Sequence, residues 1–266
     1  MAGEQRQQTH EERTIAMKYT TGLPTAKFAD LLIRLREEGV EGYPPSMGLR
    51  NALKAVLIYM RHNIPQAVIG EQLGVSQPTI SRAIKAMTDA IVQALKDLLL
   101  TAEEVPEGCD FCLDGTLLPP AEVGGITANC GRGERGTTGM SVRILVLSGG
   151  RLVGGPPTPA RGPCTTWPPQ APSGLLEGID TSGWIADKGY IGRGMITPHK
   201  KPPNGELSEA AKEADKSINR IRQVVERTIA HIKAWRIHPH RLPAPLHTFE
   251  QTITDALSLH AFKTTL

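Results

Sequence analysis

The chain has 266 residues, enough for one large domain or two ordinary ones, and only 4% are aromatic, so its core must be built from Leu, Ile, Val and Ala. Its formal net charge of +3 does not by itself mark a polyanion binder. No run approaches the roughly 18 apolar residues of a membrane span, and Met1 to Thr14 is polar and charged without a signal-peptide core, so a soluble cytoplasmic protein with no membrane partner is expected.

From Gly22 to about Leu100 the pattern is helical. Leu31, Leu32 and Leu35 recur at helix spacing, as do Leu53, Val56, Leu57 and Met60. Gly42 to Gly48, with two prolines, separates the two sets. Pro65 can then open a helix ending near Leu73, Gly74 allows a sharp turn, and Ser76 is a good N-cap for a second helix that tolerates Pro78 in its first turn. Ile69, Leu73, Val75, Ile80 and Ile84 would form the shared core, with Gly70 small where the two helices approach. This is the pattern of a helix-turn-helix over about residues 65–87. Its second helix would present Gln77, Thr79, Ser81, Arg82 and Lys85 outward, a set able to touch base edges and phosphates of double-stranded DNA.

Glu103 to Gly108 reads as a linker, dividing an all-α domain over 1–102 from a second domain over 103–266. After it the grammar changes to strands. Cys109–Leu113 should be one, ending at Asp114; Val142–Leu147 is a second; Arg151–Val153 begins a third after the Gly149-Gly150 turn. Trp184–Ala186 is a short strand delivering Asp187 at its end. A long helix starts at Ser208, a plausible N-cap with Glu209 in the first turn. Ile218, Ile221, Val225, Ile229 and Ile232 give it an apolar stripe, bordered by an arc of about 80° that holds Arg222, Glu226, Ala230 and Lys233.

Cys109, Cys112, Cys130 and Cys164 contain one C-x-x-C and no second pair at zinc spacing, so reduced thiols rather than a zinc centre are expected. His238 and His240, flanking a proline, read as surface residues. Between Lys188 and Arg241 there are 12 Lys and Arg against 5 Asp and Glu. Such a zone fits either a polyanionic substrate or a solvated helix face.

Three carboxylates stand out in the order Asp114, Asp187, Glu226, at intervals of 73 and 39 residues. Hard divalent cations bind oxygen ligands, and a pair of them can clamp a phosphodiester during displacement. The order therefore points to metal-dependent cutting and joining of nucleic acid. The plainer reading is that Asp187 caps a turn and Glu226 pairs with Arg222 one helical turn away.

The helix-turn-helix, Asp114-Gly115-Thr116, Ala186-Asp187-Lys188-Gly189-Tyr190, and Glu226-Arg227 with Ile232-Lys233-Ala234-Trp235 together resemble the DDE-superfamily endonucleases. The resemblance is to bacterial insertion-sequence transposases of the type related to the Harbinger group, and it spans about Thr21 to Leu259. It implies an α/β fold, a ribonuclease-H-like mixed sheet flanked by helices, preceded by the all-α domain. It also implies Asp114, Asp187 and Glu226 as catalytic metal ligands for two Mg²⁺ ions, with Mn²⁺ as a substitute. In that family the two aspartates sit on strand ends and the glutamate on a later helix. Lys188, Arg227 and Lys233 are then phosphate contacts. The implied activity is cleavage and transfer of strands at transposon ends and target DNA, by a nucleoid-associated protein that pairs as a homodimer to bring two ends together.

One segment departs from the family, which usually carries Pro-Gly-x-x-His-Asp before the second aspartate. Here seven of the chain's 21 prolines fall within residues 155–172, too many for strand hydrogen bonding. Ala160–Pro168 can be encoded by bases that, read from the third position, permit Pro-Gly-Ser-Val-His-Asp-Leu-Ala. A pair of compensating frameshifts would explain this; a divergent surface loop is the alternative. The segment Asn129–Gly139 also lacks the usual Ser-Gly-Lys-His character, though Arg132 and Arg135 keep it basic. A catalytically decayed copy that only binds DNA is therefore the competing functional reading.

Overall fold

A computed structural model describes residues 17–99, 111–118, 131–132, 138–153, 181–192, 194–203, 205–235 and 246–265. The Pro-rich stretch, Cys109, Cys130, Cys164, Arg135, His238 and His240 lie outside the described residues. The chain divides into two compact units. One comprises Met1–Leu98 with Lys233–Ile237 and Ser258–Leu266, the other Leu99–Ile232 with His238–Leu257.

The first unit is helical. Helix α1, Thr25–Glu37, buries Phe28, Leu31, Leu32 and Leu35, and α2, Gly48–His62, buries Leu53, Val56, Leu57 and Met60, the residues that recur at helix spacing. Helix α3, Gln66–Leu73, and α4, Gln77–Leu95, make the helix-turn-helix. Gly74 closes α3 in the left-handed region at φ 68°, where a Cβ would be strained. Ile69 and Ile80 are wholly buried, while Leu73, Val75 and Ile84 are half-buried at the edge of the same core. The backbone N–H of Val75 donates to the Gly70 carbonyl at 2.9 Å, drawing the turn onto α3. A Cβ on Gly70 would stand 2.6 Å from the Val75 carbonyl oxygen, so only glycine fits there.

Thr79 does not face outward as the helix pattern suggests. It is 8% exposed, and its hydroxyl shares a 2.9 Å hydrogen bond with the Ser76 hydroxyl. The first turn of α4 uses this threonine internally, because the residue three places past the N-cap returns toward the turn.

The second unit is a mixed sheet with helices. Strand β1, Phe111–Leu118, pairs antiparallel with β3, Thr138–Leu147, from Phe111↔Leu147 to Leu118↔Met140. The two-residue strands β2, Gly131–Arg132, and β4, Leu152–Val153, both pair with β3. Strand β5, Ile185–Ala186, joins β1 in parallel, and Ile196 bridges Ile185 on the far side, also in parallel. The order β4-β3-β1-β5 therefore begins antiparallel and turns parallel. Strand β1 is longer than its apolar run suggests, so Asp114 sits within it and not at its end. Pairing with β3 carries the strand four residues past Asp114, to Leu118.

Helix α5, Glu209–Lys233, starts where the pattern places it, with the Ala211 N–H donating to the Ser208 hydroxyl at 3.2 Å. Its buried face is Asp215, Arg222, Val225, Thr228, Ile229 and Ile232; Ile221 is 39% exposed, and Arg222 occupies the column expected for it. Helix α6, Leu246–Thr264, ends in the first unit, where the Lys27 ammonium donates to the Thr265 carbonyl at 2.7 Å and stacks over the Phe262 ring. Among the described residues no helix is long and apolar enough to cross a membrane.

Gly70→Ala tests the close turn. Helix propensity alone favours alanine by about 0.5–1 kcal/mol, whereas the forced shift of the Val75 carbonyl costs about 1–3 kcal/mol. A lower Tm in thermal unfolding is expected; an unchanged or higher Tm would mean that the two helices are not in close contact at Gly70.

Candidate active site

Alternation along β1 puts Cys112 and Asp114 on one face of the sheet and Leu113 on the other. Leu113 packs with Ala186, Tyr190, Leu145 and Met195. Cys112 lies under α5, its thiol 3.9 Å from the Ile221 carbonyl. Register pairs Leu113 with Ala186, so Asp187, one residue on, emerges on the α5 face with Asp114. Tyr190, 2% exposed, anchors the turn that follows. Asp187 caps that turn, accepting from the Lys188 N–H at 2.6 Å. The Asp114 carboxylate likewise accepts from the Gly115 N–H at 2.8 Å.

Helix α5 delivers one cation to this face. Arg222 reaches the Asp114 carboxylate at 3.5 Å, Asp187 at 3.8 Å and Glu226 at 3.9 Å. Its side chain is 10% exposed, against 16% for Asp114, 40% for Asp187 and 58% for Glu226, so the cluster opens to solvent toward Glu226. Both plain readings of the sequence thus hold in part: Asp187 does cap a turn, and Glu226 does pair with Arg222 across one helical turn. Neither accounts for one guanidinium touching three carboxylates from three separate elements.

The distances exceed the 2.7–2.9 Å of a strong charge-assisted hydrogen bond, so the contacts act as ion pairs. Opposite charges 4 Å apart attract by about 4 kcal/mol at an effective dielectric near 20, and the carboxylates repel one another by similar physics. Among the described residues, one guanidinium against three ionised carboxylates leaves two negative charges in excess. The Arg222 Nε is buried and has no hydrogen-bond partner among the described residues. Burial pushes the Asp114 carboxyl above its ordinary range, with Asp187 and Glu226 adding to the rise; Arg222 and the Gly115 N–H pull against it.

Three carboxylates carrying a residual charge of −2 are the right donors for a hard divalent cation. Among the described residues no three acidic, His or Cys side chains are close enough to hold a metal as they stand; the guanidinium lies between them.

The remaining expected contacts are distributed. Lys188 and Arg227 are exposed beside Asp187 and Glu226 in the chain, and Lys233, exposed at the end of α5, falls in the first unit. On α4, Gln77, Ser81, Arg82 and Lys85 are exposed, with the Gln77 amide donating to Gln66 at 2.7 Å and the Arg82 Nε donating to the Pro78 carbonyl at 3.3 Å. Two features escaped the sequence reading. Arg222 was legible only as a partner of Glu226; its place in the apolar column of α5 was the missed signal. The second is His199, whose ring Nδ1 and backbone N–H both meet the Asp215 carboxylate, at 2.7 and 2.8 Å.

The family described as "Helix-turn-helix of DDE superfamily endonuclease" matches residues 45–97, and the family described as "DDE superfamily endonuclease" matches residues 171–261. The second match contains Asp187 and Glu226 and begins within the Pro-rich stretch, after Asp114. A protein of Streptomyces albus G, named as a transposase for insertion sequence element IS112, is 28% identical over 230 residues, covering 82% of this chain and 83% of its own length. No solved structure matches the chain significantly.

A raised carboxyl pKa means that the fold favours protonated Asp114, so its ionisation costs stability as pH rises above the ordinary carboxyl value, and in full above the raised one. Asp114→Asn, measured in EDTA, should therefore melt higher than the parent at neutral pH. The gap should begin to narrow as pH falls below the raised pKa and vanish below the ordinary carboxyl value, where both folded and unfolded chains are protonated. A variant that melts lower at neutral pH would show that Asp114 is needed to neutralise Arg222.

Proposed function

Because the chain belongs to the DDE superfamily of endonucleases, as an insertion-sequence transposase with an N-terminal helix-turn-helix, we propose that it binds the ends of an element and cuts and transfers DNA strands there with divalent cations. The observation that supports this most is the meeting of Asp114, Asp187 and Glu226 around Arg222.

The roles follow from exposure and charge. Exposed Gln77, Ser81, Arg82 and Lys85 on α4 read and hold the duplex. Asp114, Asp187 and Glu226 would hold two Mg²⁺, or Mn²⁺ in their place, which would supply charge neutralisation for in-line displacement at phosphorus. Water, or a DNA 3′-hydroxyl, forms the new P–O bond as the opposite P–O bond breaks. Lys188 and Arg227 orient the strand by its phosphates, and Lys233 adds a further phosphate contact. Arg222 partly neutralises the three carboxylates and would compete with the cations for them. Two copies act together, since two ends must be joined.

A second reading, a copy that binds DNA without cutting it, is favoured by one observation. The Pro-rich stretch replaces a segment that the family places before the second aspartate, and the endonuclease match begins inside it. A nearby loop misplaced by about 1 Å can cost about 100-fold in rate.

Both are decided on a duplex carrying an element end. Cleavage with Mg²⁺ that falls at least about 100-fold in Asp187→Ala, with end binding retained, is the expected result. Binding that survives EDTA while Mg²⁺ produces no cleavage would replace the first reading with the second.

A further inference from the structure

The Asp215–His199 pair has no part in the site described so far. Asp215 is 8% exposed, yet it accepts two hydrogen bonds from one surface residue, from the His199 backbone N–H at 2.8 Å and from its ring Nδ1 at 2.7 Å. A carboxylate only accepts, so Nδ1 carries the proton, and the His199 side chain as a whole is 52% exposed. Burying a carboxylate is costly, and here its bonds fix the backbone and the side chain of one exposed residue. Those bonds pin the strip His199-Lys200-Lys201 to α5. They also hold the Asp215 carboxyl below its ordinary range, with Lys188 contributing.

The sheet sets where this strip lies. Ile185 and Ile196 bridge in parallel, and the Ala186 N–H donates to the Ile196 carbonyl at 3.0 Å. Both segments leave that bridge in the same direction. Lys188 and His199, each three residues past it, emerge at the same end of the sheet, the end that carries Asp187. Lys188 lies close enough to act on the Asp215 carboxyl. Lys188, Lys200 and Lys201 are exposed, and among the described residues none has an ion-pair partner. Asp215 and Arg222 share the buried face of α5, seven residues or about 10 Å apart along its axis. That is about three nucleotide steps at a rise of 3.4 Å per strand.

We propose that Lys188, Lys200 and Lys201, with His199 pinned by Asp215, form a seat for DNA backbone phosphates within about three nucleotides of the phosphodiester at the carboxylate cluster. The proposal deepens the functional reading above and rests on it. Asp215 and His199 are positioning residues; the lysines make the contacts.

The test is binding of the full chain to a fluorescent duplex carrying an element end, in EDTA, across a salt series. Each neutralised phosphate contributes about −0.9 to the slope of log K against log salt. Lys200→Gln with Lys201→Gln should reduce that slope by about 2. Asp215→Asn should weaken binding in the parent and have no further effect in the double-lysine variant, the non-additivity expected of a residue acting through the lysines. His199→Ala should repeat that behaviour, which covers the case of Asp215→Asn failing to fold. Ethylation interference should lose its signal at phosphates within about three nucleotides of the cut. An unchanged slope in the double-lysine variant, or additive losses, would overturn the seat while leaving DNA binding intact. A parent chain with no salt-dependent duplex binding would overturn the underlying DNA reading as well.

Discussion

The second unit is organised around an electrostatic constraint. Asp114, Asp187 and Glu226 face the same small volume, and Arg222 is the cation that meets all three. Its charge offsets part of the repulsion among the three carboxylates. With it, the group still carries excess negative charge, and the Asp114 carboxyl is held above its usual range mainly by burial. An arrangement that is gathered but under-neutralised suits a site meant to receive further positive charge.

The surrounding fold fixes that convergence by simple rules. Period-2 alternation sends Asp114 and Asp187 to the face beneath α5 while Leu113, Ala186 and Tyr190 pack on the other. The 3.6-residue turn stacks Arg222 above Glu226 and, two turns earlier, Asp215 on the same buried side. Strand β5 has only two residues, so the buried ring of Tyr190 secures its exit turn where strand pairing cannot. In the first unit a comparable economy holds. Gly70 and Gly74 let α3 and α4 meet through a three-residue turn, and the Ser76–Thr79 hydroxyl pair closes the start of α4.

Much of this was legible in the sequence, because the signals were local. Gly74, Ser76 and the apolar spacing specified the helix-turn-helix, and Ser208 specified the start of α5. The strand bearing Asp187 was readable from Trp184–Ala186. Most of the misses depended on a partner distant in the chain: β1 ran past Asp114 because β3 paired with it, and Arg222 entered an apolar column beside Asp114 and Asp187. Thr79 is the exception, turned inward by the Ser76 hydroxyl three residues before it, a local bond that helix periodicity does not register. His199 was silent in the sequence, since its partner Asp215 lies 16 residues away across a loop. The joint order of the carboxylates was visible; their common counter-cation was not.

In the proposed function Arg222 stands in for the cations that the carboxylates would bind, and that exchange can be measured directly. Calorimetric titration of Mn²⁺ into the parent and into Arg222→Gln should show tighter binding by the variant, because a competing positive charge has gone. Weaker or unchanged Mn²⁺ binding in the variant, with the fold intact by circular dichroism, would contradict it.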